Sequence, residues 1–140
     1  MAELKTNAVK KTKHFIIIIV SLLLSACNTP LNLDDNNSTV EFAINTPFEV
    51  ELEANPTTGY QWHILSYDSS VIRQIGKPEF TGDSDKIGAP GYSTYKFETI
   101  APGETTLLMV YTKAGQGNEE AFRKFSVNIL SGTMGRITAN

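Results

Sequence analysis

Few side chains in this 140-residue chain are able to do covalent or metal chemistry. There is one cysteine, Cys27, and two histidines, His14 and His63. A thiol nucleophile needs an imidazole to activate it, and a serine triad needs an imidazole steadied by a carboxylate. Cys27 and His14 belong to an N-terminal segment that reads as an address, which leaves His63 alone in the part that folds. His63 falls on the opposite strand face from Trp62 and reads as a surface residue. Asp83 and Asp85 flank Ser84, a pair that would hold calcium only weakly because it lacks the ligand set of an EF-hand loop. Glu49, Glu51 and Glu53 recur at every second position, so they form one solvated strand face and not an acid/base cluster. Gly88-Ala89-Pro90-Gly91 is no phosphate cradle, because Pro90 lacks the N–H that an anion nest uses. This inventory argues against catalysis: no enzyme, no cofactor and no metal are expected. A carboxylate-based hydrolase stays open as a weak reading, to be tested with a glycan panel.

The N-terminus explains the lone cysteine. Lys5, Lys10, Lys11 and Lys13 form a basic region before an apolar run, residues 15–24, that is short for a membrane span. Leu24-Ser25-Ala26-Cys27 resembles a bacterial lipobox, which implies cleavage before Cys27 and acylation of its sulfur and new amino group. Residues 1–26 are then a lipoprotein signal peptide, and more than one acyl chain makes anchoring stable. Their removal leaves eight basic against fourteen acidic residues, a net charge of −6, which argues against nucleic acid as a partner. Asn28 follows Cys27 where some Gram-negative bacteria use aspartate for inner-membrane retention. The expected location is therefore the bacterial cell envelope, at the outer membrane, facing either the periplasm or the surface.

The remaining ~114 residues suit one domain. Residues 27–38 are polar and turn-rich and read as a lipidated tether, and residues 131–140 as a loose tail. Between them the periodicity is β. Residues 48–54 alternate strictly, and residues 39–44 place Val40, Phe42 and Ile44 inward. Further strands are expected at 60–65, 71–75, 92–99, 105–111 and 121–130, the last with Phe125, Val127 and Ile129 inward. Residues 105–111 are almost continuously apolar, as a central strand would be, and Trp62 reads as core. About seven short strands separated by turn signals predict an all-β, immunoglobulin-like antiparallel β-sandwich.

The most specific local feature is Asn55-Pro56-Thr57-Thr58-Gly59-Tyr60, with Trp62 two residues on. Pro56 fixes its own φ and pushes Asn55 toward an extended conformation. Thr57 and Thr58 carry hydroxyls that bond locally, and Gly59 admits a positive φ. The product is a stiff loop with a small tip leading into an aromatic strand. These residues closely resemble the Asn-Pro-Thr-Thr-Gly-Tyr signature of the chagasin family, inhibitors of papain-like cysteine proteases. The resemblance covers roughly residues 39–130. It implies a reversible, non-covalent wedge in which residues 55–60 occupy the protease cleft, with Thr57 and Thr58 nearest the nucleophile. It implies two flanking loops as well. Gly88-Ala89-Pro90-Gly91 stands where the family has Gly-x-Gly-Gly, with proline in place of the middle glycine. Lys113-Ala114-Gly115, after Tyr111-Thr112, stands where the family has Arg-Pro-Trp. Lys113 keeps a positive charge there, but proline and tryptophan are missing, so inhibition is expected to be weaker or narrower unless another residue such as Tyr92 or Phe122 is the anchor. The alternative is a non-inhibitory envelope lipoprotein that binds another protein or a glycan. In either case a monomer is expected.

Overall fold

The computed structural model describes residues 29–117 and 121–132. The signal peptide, Cys27, Asn28, residues 118–120 and residues 133–140 lie outside the described residues. Seven strands follow one another: β1 (Ser38–Phe42), β2 (Pro47–Ala54), β3 (Tyr60–Ser66), β4 (Ile72–Gly82), β5 (Gly91–Thr99), β6 (Gly103–Lys113) and β7 (Arg123–Ser131). They form a four-stranded sheet, β1-β7-β6-β3, and a three-stranded sheet, β2-β5-β4. The two share one core, with Phe48, Val50 and Leu52 of β2 and Phe97 of β5 meeting Leu107, Met109, Phe125, Val127 and Ile129 of the other sheet. This is the expected all-β sandwich.

Alternation explains most of the burial. Phe48, Val50, Leu52 and Ala54 are buried, while Glu49 and Glu53 between them face solvent. The near-continuous apolar run of β6 is explained by its place between β7 and β3. Trp62 is buried and its indole N–H donates to the Glu53 carbonyl at 3.0 Å. The Tyr95 hydroxyl donates to the Trp62 carbonyl at 2.6 Å. Burial pushes the Tyr95 phenol up from 10.0 to about 12.

Four sequence expectations need correction. β4 runs through Gly82 and does not stop at Ile75. Gly76 and Pro78 look like strand breakers, but the register slips between Ile75 and Glu79 and the bulge absorbs them, with Gly76 at φ 67°. Ile44 is exposed, because β1 ends at Phe42 and the chain turns through Asn45 at φ 59°. The segment read as a tether is docked over its described part. Leu31 is buried and bridges Val50 in parallel, accepting from the Glu51 N–H at 2.8 Å and donating to the Glu49 carbonyl at 2.8 Å. Asn32 then caps a short 3₁₀ turn, Leu33–Asp35. Ser131, expected to open the loose tail, is buried within β7. One pairing was not foreseen: β1 lies parallel to β7, with Ser38 opposite Val127 and Phe42 opposite Ser131.

Candidate functional site

The register brings three connections to one pole. Ala54 and Gly82 both pair with Gly91, so the β2–β3 loop (residues 55–59) and the β4–β5 loop (residues 83–90) leave the same edge of one sheet. Tyr60 pairs with Lys113, and Tyr111 with Arg123, so the β6–β7 connection (residues 114–122) leaves the matching edge of the other. Two contacts tie the sheets together there. The Asn55 N–H donates to the Tyr111 hydroxyl at 2.9 Å, and Arg123 Nη1 lies 3.2 Å from Glu53 Oε2.

The first loop is ordered by its own side chains. Asn55 is extended (φ −138°, ψ 92°) and caps a single 3₁₀ turn, Pro56–Thr58, with the proline at its start. The Asn55 carboxamide oxygen accepts from the Thr57 hydroxyl at 2.6 Å and from the Thr57 N–H at 3.3 Å. The Thr58 hydroxyl donates to the Asn55 carbonyl at 2.6 Å and accepts from the Tyr60 N–H at 3.4 Å. Gly59 closes the turn in the left-handed region, at φ 81° and ψ −1°, and its N–H donates to the Pro56 carbonyl at 3.1 Å. A Cβ at Gly59 would meet no atom within 4 Å, so glycine is favoured there by backbone conformation and not by crowding at Cβ. Thr57, Thr58 and Gly59 are exposed at the tip.

The second loop leans on the first. The Asn55 Nδ2 donates to the Gly88 carbonyl at 3.4 Å, and a Cβ on Gly88 would lie 3.9 Å from Thr57 Oγ1. Gly88 adopts φ 85°, Ala89 is half-buried and Pro90 is exposed, its carbonyl accepting from the Asp83 N–H at 2.9 Å. Gly91 differs from its neighbours: it is buried within β5, where a Cβ would collide with the Thr81 carbonyl and lie 2.7 Å from Cα of Gly82. It lets β4 and β5 close up beneath the loop, so its side-chain position offers no surface to a partner. Ile87, at the loop's tip, is fully exposed.

The third connection carries less internal bonding. The Gln116 N–H donates to the Lys113 carbonyl at 3.1 Å, and the Lys113 N–H to Gln116 Oε1 at 3.4 Å. Lys113 lays its Nζ 5.1 Å from the centre of the Tyr60 ring. Tyr60 is half-buried and stacks on Tyr111, with ring centres 5.5 Å apart. Its ring is therefore held as a support, and the small residues ahead of it form the tip.

The structure thus groups Asn55, Pro56, Thr57, Thr58, Gly59, Tyr60, Gly88, Ala89, Pro90 and Lys113 at one pole. The sequence reading did not reach the Tyr111 hydroxyl, Glu53 as the partner of Arg123, or the placement of Phe122. None of them has a local sequence signal, since each contact joins residues far apart in the chain. Among the described residues no group of three or more His, Cys, Asp or Glu side chains gathers as metal ligands, and none forms a helix able to cross a membrane.

Comparison with known proteins agrees with this arrangement. Residues 41–129 match the chagasin family peptidase inhibitor I42 profile. The chain is 22% identical to amoebiasin-2 of Entamoeba histolytica over 102 residues, spanning 69% of this chain and 79% of the relative. It is 24% identical to chagasin of Trypanosoma cruzi over 96 residues, or 66% of this chain and 87% of that protein. The crystal structure of a cysteine protease inhibitor from Entamoeba histolytica superposes with a TM-score of 0.64 at 20% identity, covering 72% of this chain and 92% of the other. A sandwich with a hydrogen-bonded Asn-Pro-Thr-Thr-Gly turn at its three-loop pole, matched over residues 41–129, belongs to the chagasin family of peptidase inhibitors, which are not enzymes.

Proposed function

We propose that the domain blocks papain-like cysteine proteases reversibly, with residues 55–60 entering the active-site cleft and residues 88–90 and Lys113 flanking it. The single observation that supports this reading best is the pre-ordered first loop. Its hydroxyls are committed to the Asn55 carbonyl and carboxamide, and its tip carries only small side chains. A loop already fixed before contact loses little entropy on binding, and a fixed turn need not adopt the extended pose that a substrate must. Titration of papain and a cathepsin with the fragment covering residues 28–140 tests it. Stoichiometric, reversible loss of activity is expected. Undiminished protease activity at a large molar excess overturns the reading.

The same proposal includes an envelope lipoprotein. Residues 1–26 are removed, Cys27 is acylated, the inhibitor domain takes in the docked Leu31 and the end of β7 at Ser131, and the protein sits at the outer membrane. The docked N-terminal segment fits such an anchor. Leu31 runs parallel to β2, so the chain enters the domain heading toward the loop pole. An anchor four residues earlier lies at most roughly 14 Å of chain from Leu31, which keeps the domain close to the bilayer. Cys27→Ser should abolish acyl labelling and detergent-phase partitioning while the domain stays folded; label retained in the mutant refutes the lipobox reading.

A further inference from the structure

The strongest feature not absorbed by the first two loops is a chain of aromatic rings that runs from the core to the surface of the loop pole. Trp62 and Tyr111 are buried with ring centres 5.1 Å apart. Tyr111 stacks on Tyr60 at 5.5 Å, and Tyr60 meets Phe122 at 5.8 Å with the planes tilted by 53°. Phe122 ends the series with 68% of its surface exposed, well beyond the other exposed aromatics Phe80 (45%) and Tyr92 (41%). Its position is fixed from two further sides. Its N–H donates to the Tyr111 carbonyl at 3.0 Å, and the Arg123 guanidinium lies 5.7 Å from its ring centre. Arg123 is held in turn by Glu53, directly below the first loop.

Leaving a large apolar ring in water forgoes the free energy of burying it, so a ring both exposed and fixed points to a partner. Fixed aromatics are suited to that use, because little side-chain freedom is lost on contact. Two cations border the patch, Arg123 at Phe122 and Lys113 at Tyr60. Resting on the inhibitory reading above, we infer that Phe122 is an anchor of this inhibitor. It would seat on an apolar patch beside the protease cleft, flanked by a protease carboxylate that faces Arg123 and Lys113. Tyr60 and Arg123 are positioning residues for it. Because Tyr60 directly follows the first loop, the anchor and the wedge engage the same enzyme at once.

The test uses the full chain in mild detergent and immobilised papain whose catalytic cysteine is replaced by alanine. Association and dissociation rates are measured for wild type, Phe122→Ala, Phe122→Trp and Leu65→Ala, with thermal midpoints as a folding check. Leu65 is the control, an exposed apolar residue on β3 away from the loops. Phe122→Ala should dissociate about tenfold faster or more, with association changed little. Phe122→Trp should restore slow dissociation, and Leu65→Ala should match wild type. Wild-type dissociation by a folded Phe122→Ala protein overturns the anchor while leaving the inhibitory reading intact. Absence of any wild-type binding overturns both.

Discussion

The β2–β3 loop and the β6–β7 connection share a pole, yet they are ordered by different means. Residues 55–59 hold their shape through bonds among themselves: Asn55 with Thr57 and Thr58, and Pro56 with Gly59. Residues 114–122 have no such network among the described residues. Their fixed point is Phe122, held by Tyr60 and Tyr111 from two other strands and by its neighbour Arg123. Local hydrogen bonding makes a tip that is stiff and small. Long-range stacking makes an anchor that is broad and apolar. A cleft-blocking surface has use for both, since the tip must enter and the flank must grip.

The contrast can be broken most severely at the tip. Thr58→Arg places a long cation at an exposed tip residue whose small hydroxyl is turned into the loop, and inhibition of papain should weaken about 100-fold or more. It also removes the 2.6 Å bond to the Asn55 carbonyl, so a stability loss of about 1 kcal/mol should accompany it. Thr58→Ser keeps that bond and should inhibit nearly as wild type. Next in size is Gly59→Val. Left-handed backbone costs a side chain about 1–2 kcal/mol, and no neighbour lies within 4 Å of the new Cβ. Denaturant unfolding should show that loss, and the inhibition constant should rise about tenfold as the turn distorts. Tyr111→Phe removes the hydroxyl that receives the Asn55 N–H but leaves the ring stack in place. It should cost about 1 kcal/mol and raise the inhibition constant severalfold, chiefly through faster dissociation.

These contacts differ in how far they could be read in advance. The first loop was legible because its bonds close within five residues, and Pro56 and Gly59 each allow few backbone conformations. Most strands were legible because their inward residues alternate, as Phe48, Val50 and Leu52 do. The second half of β4 was hidden, since Gly76 and Pro78 look like an end and only pairing with β5 shows a bulge. The docking of Leu31 was hidden because Leu31 and Leu33 are only two apolar residues in a polar stretch, too few to establish a period; its partner is the edge of β2. Phe122 could be named from sequence as a candidate anchor beside Tyr92, but what holds it in place could not. Phe122 lies one residue before β7, and only the stacking of β3 and β6 side chains shows what holds it.

Smaller effects sharpen the comparison. Replacing Lys113-Ala114-Gly115 by Arg-Pro-Trp should slow dissociation by less than about threefold in the wild-type background, where Phe122 already grips. The same replacement in Phe122→Ala should gain much more, and the difference is the coupling between the two. Equal gains in both backgrounds would show that they act independently. The smallest effect at neutral pH belongs to Tyr95, beneath both regions. Its folded phenol is pushed up to about 12, so its contribution is fully present below pH 10 and is lost as pH rises from 10 toward 12. Unfolding free energy measured across that window should fall for wild type and fall less steeply for Tyr95→Phe.

The central claim is that residues 55–60 lie over the catalytic centre. The direct measurement is the rate at which a small thiol-alkylating reagent labels papain's catalytic cysteine in the presence of excess inhibitor. Wild type should slow labelling in proportion to occupancy, and Thr58→Arg at the same concentration should leave it close to the rate for free papain. Labelling at the free-enzyme rate by papain shown to be fully bound to wild type would contradict the account.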